Sequence, residues 1–357
     1  MYNCSKDVLA HHDLEVTLPQ AERTEMRKRR DSNRDRLKKG LEKNGWAQPL
    51  YFKSQGSYAM KTMTQHPELD YDIDDGVYFA KADLVGPRGA ELTALEARQR
   101  VRDAVDDGSF TQAPEVRKNC VRVYYQKGYH VDLPVYREVV TKDFWGRESV
   151  HYELASSSWK RSDARDVSAW FEKENTDQSP DDLNGRQLRR TVRQIKAFAR
   201  SRDSWKGKIL SGFGITKLVT ELYRKNADRE DTALYDTMKA IRDRLQYDLV
   251  VKHPCTQGDN ITNGTSDPKA VFLRDKLTEA LNNLDVLFKY DCTRTQALKA
   301  WDKVFNTTFF SDRDDTVQKA AASFPSPVIL SRGLVEANAL EAAAKSPVRS
   351  EGGGRYA

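Results

Sequence analysis

The chain has 357 residues, of which 59 are basic and 53 acidic, so its formal net charge is +6. This length holds one large or two modest domains, and the small basic excess suits an anionic ligand rather than a surface that coats nucleic acid. A membrane span is excluded because 31% of the residues are charged and no long apolar run occurs.

The N-terminal residues lack the apolar core of a signal peptide, so we expect a cytoplasmic protein. The four cysteines are scattered and show no Cys-x-x-Cys spacing; they are Cys4, Cys120, Cys255 and Cys292. Such cysteines predict reduced thiols and neither a zinc site nor a disulfide framework.

The first part of the chain predicts a mixed α/β arrangement. A strongly charged helix is expected over residues 21–43, ending near Gly45. Strands are expected at 49–52 and 72–79, followed by a helix at 92–105. Residues 116–125 and 129–136, separated by three turn residues, read as a hairpin.

Two carboxylates stand beside a Gly-Ser pair. Gly56-Ser57 is followed, 15 residues after the serine, by Asp72-Ile73-Asp74 at the start of an apolar strand. Side chains two apart on a strand project from the same face, where two carboxylates repel unless cations compensate. This arrangement suits a pair of divalent ions about 3.5–4 Å apart that grip nucleotide phosphates. A solvated acidic loop is the alternative for the tripeptide alone.

A third carboxylate lies in the alternating segment 129–136. Its aliphatic residues share one face, whereas Asp132 points the other way. An aspartate is an odd choice for stability alone within an otherwise apolar strand. It makes sense as a third metal ligand, or as the base that takes a proton from an attacking ribose hydroxyl.

These motifs carry a family resemblance over roughly residues 15–320. The spacing of Gly56-Ser57, Asp72-x-Asp74 and Asp132 resembles the polymerase-β-type nucleotidyltransferase pattern. The residues at 55–58, 72–78 and 130–136 resemble the corresponding motifs of bacterial cyclic-oligonucleotide synthases of anti-phage (CBASS) defence. These enzymes are relatives of animal cyclic GMP–AMP synthase and oligoadenylate synthetase. It is most similar to the branch of bacterial dinucleotide cyclases that make 3′,3′-cyclic GMP–AMP.

The resemblance implies an α+β, two-lobed polymerase-β-like fold, in which a mixed-sheet catalytic lobe and a helical lobe flank an active-site cleft. We expect the catalytic core with its spine helix at residues 1–150 and the helical lobe at 151–322. Residues 323–357 are rich in small residues and predict a flexible tail.

The resemblance also implies a set of site residues. Asp72, Asp74 and Asp132 would be catalytic and hold two Mg²⁺ ions, with Mn²⁺ as a substitute. A lysine on the helix at 188–200 and a serine at the start of the next helix would hold the triphosphate. The nucleotide-binding candidates are Gln55, Gly56, Ser57, Tyr58, Lys196, Ser211, Arg122 and Asp259.

Several of these candidates have ordinary alternatives. The basic stripe that contains Lys196 also suits a solvated helix face. Arg122 suits a solvent-facing strand position as well as the pocket, and Tyr58 suits internal packing as well as base stacking. Asp259 and its neighbour Asn260 lie in a turn-rich segment that also suits a plain connector.

The predicted function is synthesis of a cyclic dinucleotide, such as cyclic GMP–AMP, from ATP and GTP with release of pyrophosphate. An RNA-directed nucleotidyltransferase and a catalytically silent nucleotide sensor are the alternatives. No membrane and no obligatory nucleic acid are expected as partners. By analogy with defence operons, a ubiquitin-transfer-like enzyme would act on the C-terminal tail.

Overall fold

The computed structural model describes residues 1–65 and 71–314, apart from the side chain of Lys127. The predicted tail at 323–357, with its proposed conjugating partner, lies outside these residues. The described residues divide into two compact units. The larger is Ser5–Leu281, and the smaller combines Met1–Cys4 with the residues from Asn282 onward.

The larger unit begins with two helices, α1 (Ser5–His11) and α2 (Gln20–Lys43). The predicted long charged helix is therefore confirmed. Its buried residues are Met26, Asn33, Leu37 and Leu41, which recur at intervals of seven and four. This spacing places them on one side of a helix, so the many charges of α2 lie around a narrow buried stripe.

One mixed sheet contains the eight strands of the described residues, in the order β3-β4-β5-β2-β6-β7-β8, with β1 paired to β2. The strands are β1 Tyr51–Gln55, β2 Asp72–Ala80, β3 Glu115–Val116, β4 Val121–Tyr124, β5 His130–Leu133, β6 Val135–Lys142, β7 Glu148–Ala155 and β8 Trp159–Arg161. The predicted hairpin is β4 with β5. Strands β5 and β6 both pair in parallel with β2. Pro134 separates them, because proline has no N–H for a continuous ladder.

The sheet extends beyond the expected domain boundary. Residue 150 falls inside β7, which pairs with β6 from Glu148 to Leu154 and with β8 from Glu153 to Ala155. The sheet thus ends at Arg161, and from Ala164 onward the described elements are helices. A boundary at 150 would cut through these backbone hydrogen bonds, so we correct it to the end of β8.

Helix α4 (Ala94–Val105) packs with α2 against one face of the sheet. Thr93 and Glu96 form a capping box at its start. The core between these layers combines Leu37 and Leu41 of α2 with alanine and valine residues of α4 and valines of the strands. A side chain at Gly40 would collide with the Ala104 carbonyl oxygen, so glycine lets α2 and α4 approach closely.

Helices follow the sheet. In the larger unit they are α5 (Ala164–Gln178), α6 (Gln187–Arg200), α7 (Gly212–Leu222) and α8 (Glu230–Tyr247). The short helix α3 (Gly56–Ala59) lies earlier, between β1 and β2, and the larger unit ends within α9 (Pro268–Leu284). The smaller unit contains α10 (Arg294–Phe305), where Trp301 stacks on Phe305 and Phe310. Among the described helices, none combines the length and apolarity that crossing a bilayer requires.

Candidate active site

Four neighbouring strands place one residue each in a single row. Gln55 of β1 is opposite Asp74 of β2, Asp74 is opposite Asp132 of β5, and Asp132 is opposite Arg122 of β4. Paired residues on adjacent strands project from the same face of a sheet. Asp72 precedes Asp74 by two residues and shares this face. Strand pairing therefore brings the three predicted acids together.

Arg122 lies against these acids rather than pointing away from them. Its Nε and Nη2 donate to the two carboxylate oxygens of Asp132 at 2.8 and 2.7 Å, and Nη2 also reaches Asp72 Oδ2 at 3.1 Å. Asp132 is only 6% exposed. A bidentate guanidinium of this kind compensates a buried carboxylate.

The acids are close enough to perturb one another. Burial, together with the negative charges of Asp72 and Asp132, raises the pKa of Asp74 to about 7, although Arg122 opposes this shift. Gly56 also approaches Asp74: it has φ +63°, and a side chain there would collide with the Asp74 carboxylate. Glycine is therefore required at this position both for its backbone conformation and for space.

Asp75, the next residue along β2, points to the opposite face. Its carboxylate is fully buried and accepts two hydrogen bonds from Arg34 of α2, at 2.6 and 2.5 Å, and one from Ser54 Oγ at 3.0 Å. The third acid of the Asp-Ile-Asp-Asp sequence thus joins the sheet to α2 and takes no part in the site.

A cavity of about 720 Å³ is lined on its sheet side by Asp72 and Asp74, whereas Asp132 and Arg122 are not among its lining residues. Its volume is typical of small-ligand and nucleotide sites. Predicted residues line it from both sides, namely Gln55, Gly56, Ser57, Asp72, Asp74, Lys196 and Ser211. Helices α6 and α7 thus supply a wall that faces β1, α3 and β2. The basic stripe of α6 comprises Arg189, Arg193, Lys196 and Arg200; the first three are buried rather than on a solvated face, and Arg200 is exposed.

Lys196 and Ser211 occupy this helical wall. The Lys196 ammonium donates to Thr62 Oγ1 at 2.8 Å. Burial, and then the nearby charges of Arg200 and Arg193, lowers the pKa of Lys196 to about 7. Ser211 caps the first turn of α7, where its hydroxyl accepts from the Gly214 N–H at 3.1 Å.

Two predicted nucleotide-binding residues lie elsewhere. Tyr58 does not line the cavity; it packs against a small apolar cluster that includes Tyr71 and Ile73. Asp259 pairs with exposed Lys160 at 2.7 Å and is likewise absent from the cavity wall. For both, the structure favours the ordinary alternative given by the sequence.

The structure also adds residues that sequence reasoning did not single out. Tyr136 of β6 lines the cavity and donates to Gln55 Oε1 at 2.9 Å, which fixes the orientation of that amide. Its place on the Asp132 face in the alternating segment was the available signal. Further basic side chains line the cavity near Lys196, namely Arg200, Arg202, Lys206 and Lys269.

The donor set suits a hard divalent cation, since carboxylate oxygens are its usual ligands and mutual repulsion already disfavours the charged form of Asp74. Over residues 1–65 and 71–314, however, no three His, Cys, Asp or Glu side chains are arranged to hold a metal ion. In this arrangement Arg122 takes both oxygens of Asp132.

Comparisons with known proteins agree with this geometry. Residues 50–136 match the family described as cyclic GMP-AMP synthase DncV-like, nucleotidyltransferase domain. That segment contains the row of acids, Gly56-Ser57 and Tyr136.

Solved structures extend the similarity over most of the chain. The cyclic AMP-GMP synthase DncV of Vibrio cholerae with nonhydrolyzable GTP aligns with a TM-score of 0.66 at 17% identity, covering 85% of this chain and 96% of that one. The same protein with the linear intermediate 5′ pppA(3′,5′)pG gives a TM-score of 0.62 at 15% identity, covering 82% and 91%. Escherichia coli DncV bound to 3′-deoxy GTP gives 0.60 at 17%, covering 83% and 93%. The chain therefore adopts the polymerase-β-like nucleotidyltransferase fold that its sequence predicts, and its residues 50–136 match the DncV-like nucleotidyltransferase domain.

Proposed function

We propose that this protein joins nucleoside triphosphates into a cyclic dinucleotide by metal-dependent nucleotidyl transfer. The observation that carries the proposal is one cavity with the carboxylates of Asp72 and Asp74 on its sheet side and basic side chains, among them the buried Lys196, on its helical side. Carboxylates coordinate divalent metal ions, and basic side chains bind the phosphates that those ions also coordinate. A cavity that offers both matches a nucleoside triphosphate with its divalent ions.

Asp72, Asp74 and Asp132 are the residues that would hold the ions. Bound divalent ions would lower the pKa of the acceptor ribose hydroxyl and stabilise the leaving pyrophosphate. Arg122 would then release the oxygens of Asp132 and Asp72. Its guanidinium would remain beside the acids, where it is able to bind a nucleotide phosphate or base.

The phosphates would lie between Gly56-Ser57 and the helical wall. Gly56 and Ser57 offer backbone N–H groups and a hydroxyl, and the absence of a side chain at Gly56 allows close approach. Lys196 and Ser211 face them across the cavity. Lys196 supplies a positive charge, and the free-energy cost of burying that charge is offset when an anionic phosphate binds beside it.

We propose a cyclic dinucleotide such as cyclic GMP–AMP as the product. Support comes from the DncV structures, whose descriptions include a cyclic AMP-GMP synthase, GTP and a linear pppA(3′,5′)pG intermediate. The linear product would turn over in the same cavity, so that a second transfer closes the ring. We also propose a role in cytoplasmic anti-phage signalling, which the resemblance of the sequence motifs to synthases of such defence supports.

The test is incubation of the protein with all four nucleoside triphosphates and Mg²⁺ or Mn²⁺, followed by mass spectrometry of phosphatase-resistant products. A cyclic dinucleotide is expected, and it should disappear when the metal is chelated. The double variant Asp72→Asn with Asp74→Asn should lose this product while keeping the native circular-dichroism spectrum. Asp177→Asn, an exposed change on α5, is the matched control. Retained synthesis in the double variant would refute the assignment of the acids.

A further inference from the structure

Helix α6 holds the segment that follows α3 through three basic side chains. Each donates to one of three consecutive residues, 60–62. The pairs are Arg189 Nε to the Met60 carbonyl at 3.0 Å, Arg193 Nε to the Lys61 carbonyl at 2.8 Å, and Lys196 Nζ to the Thr62 carbonyl at 3.3 Å. The basic stripe of α6 is therefore aimed at backbone carbonyls.

Residues 60–62 close the turn that begins at Gly56-Ser57. The Lys61 N–H donates to the Tyr58 carbonyl at 3.1 Å, and the Thr62 N–H donates to the Ser57 carbonyl at 2.9 Å. This pair of bonds is the Schellman motif that ends a helix. The position of Ser57 thus depends directly on the conformation of Lys61 and Thr62.

Lys61 occupies the position of that motif where glycine is usual. Its φ is +54°, in the left-handed region, which costs a residue with a Cβ about 1 kcal/mol. Its side chain is exposed, so side-chain packing does not offset this cost. Of the three side chains of α6 that reach residues 60–62, Arg193 is the one that donates to Lys61 itself.

Arg193 is well suited to a fixed role. It is 7% exposed, and no carboxylate of the residues described here lies within ion-pairing distance of it. Burial and the neighbouring Arg189 and Arg23 lower its pKa to about 10. A buried guanidinium without an anion is costly unless it is hydrogen-bonded, and the Lys61 carbonyl supplies its shortest hydrogen bond.

Arg189 and Lys196, the other two residues of α6 that donate to residues 60–62, make further interactions. Arg189 also pairs with Glu172 and bonds the Gly185 carbonyl at 2.9 Å. Lys196 lines the cavity and is assigned to the phosphates. We propose that Arg193 is a positioning residue, which holds Lys61 in its left-handed conformation and thereby sets Gly56-Ser57 for phosphate binding. The inference rests on the proposed function of that turn.

The test is a double-substitution cycle read by binding of a nonhydrolysable GTP analogue. Arg193→Gln should weaken binding by about tenfold, chiefly as a rise in KM where turnover is measured. Adding Lys61→Gly should recover most of the loss, because glycine adopts positive φ without support. Arg193→Lys, which keeps the charge, is the second variant should Arg193→Gln fold poorly. It should show a smaller loss that Lys61→Gly also repairs.

Arg190→Gln is the matched control on the same helix. Arg190 is equally buried, but its guanidinium pairs with Glu230 and Asp181 and does not reach residues 60–62. Lys61→Gly should not restore this variant. Equal recovery of the Arg190 and Arg193 variants, or recovery of neither, would overturn the proposal.

Hydrogen exchange of the Thr62 amide gives a readout that needs no activity. This amide donates to the Ser57 carbonyl, so its exchange should accelerate in Arg193→Gln and slow again with Lys61→Gly. Unchanged exchange in Arg193→Gln would overturn the positioning role. If exchange behaves as expected but the wild-type protein forms no dinucleotide, the proposed function fails and the structural coupling stands.

Discussion

At the scale of single residues, the candidate site is built from groups that are costly to bury. Lys196 is 7% exposed, and its pKa is lowered to about 7 mainly by burial. The pKa of Asp74 is shifted the other way: burial, and then the nearby charges of Asp72 and Asp132, raise it to about 7. Both shifts mean that the folded protein without ligand disfavours the charged forms that a nucleotide with divalent ions would stabilise.

Lys196→Met should therefore stabilise the fold in a pH-dependent way. Since the folded pKa of Lys196 lies below its unfolded value, the penalty for charging the buried amine is full below pH 7 and fades as pH approaches 10. We expect a gain of about 2 kcal/mol at pH 6, reduced by the lost hydrogen bond to Thr62. Urea unfolding between pH 6 and 9.5 measures it, with exposed Lys208→Met as the control. A gain that does not vary with pH would contradict the prediction.

Asp75→Asn should destabilise the protein through a site that lies away from the cavity. Asp75 is completely buried against Arg34, and removing one partner of such a pair leaves an uncompensated charge. A loss of about 3 kcal/mol in the free energy of unfolding is expected. Denaturant titration of Asp75→Asn beside Asp177→Asn checks this. Equal stability of the two variants would show that the ion pair with α2 contributes little.

At the scale of elements, the sheet depends on side-chain alternation and strand pairing, whereas the packing of α2 on α4 depends on a close backbone approach. Strand β2 carries Asp72 and Asp74 on one face and Ile73, Asp75 and Val77 on the other, so its alternation fixes which acids share the site. Proline at 134 lets two short strands pair with β2 in succession. Helices α2 and α4 depend instead on close backbone approach at Gly40.

Gly40→Ala tests that approach. Intrinsic helix propensity favours alanine by about 1 kcal/mol, but the new Cβ would collide with the Ala104 carbonyl oxygen. We expect the collision to dominate, with a net loss of about 3 kcal/mol in unfolding free energy. Chemical denaturation measures it, and Lys39→Ala, on the exposed side of the same turn, is the control. A stabilised Gly40→Ala variant would show that α2 shifts freely on α4.

At the scale of the whole molecule, charge separates the proposed function from its RNA-directed alternative. A net charge of +6 over 357 residues is a small excess. An enzyme that extends RNA needs a broad basic surface for the acceptor. The small basic excess therefore favours free nucleotides as both donor and acceptor.

Product formation should accordingly be independent of added RNA. We expect the same yield of cyclic dinucleotide with and without a pool of RNA, because in the proposed function the acceptor hydroxyl belongs to a second nucleotide in the cavity. Radiolabelled nucleotides and gel analysis check this, with RNA-free protein as the reference. Incorporation of label into RNA, at a rate above that of dinucleotide formation, would favour the RNA-directed alternative.

The sequence by itself determined the local elements and predicted a chemistry for the site. Alternation in 72–79 and 129–136 predicted strands with acids on one face, since side-chain direction follows from strand geometry alone. The charged run at 21–43 predicted α2, and the Gly-Ser pair with three acids indicated a nucleotide and its metal ions. These signals lie within short stretches of chain, where local geometry is enough.

Only the tertiary structure decided which residues meet across long separations. It joined Gln55, Asp74, Asp132 and Arg122 into one row, turned Asp75 and Tyr58 away from the cavity, and carried the sheet to Arg161. It also showed the basic stripe of α6 donating to residues 60–62. Strand order and helix packing are set by the summed burial of the whole core, and no single segment of sequence contains that information.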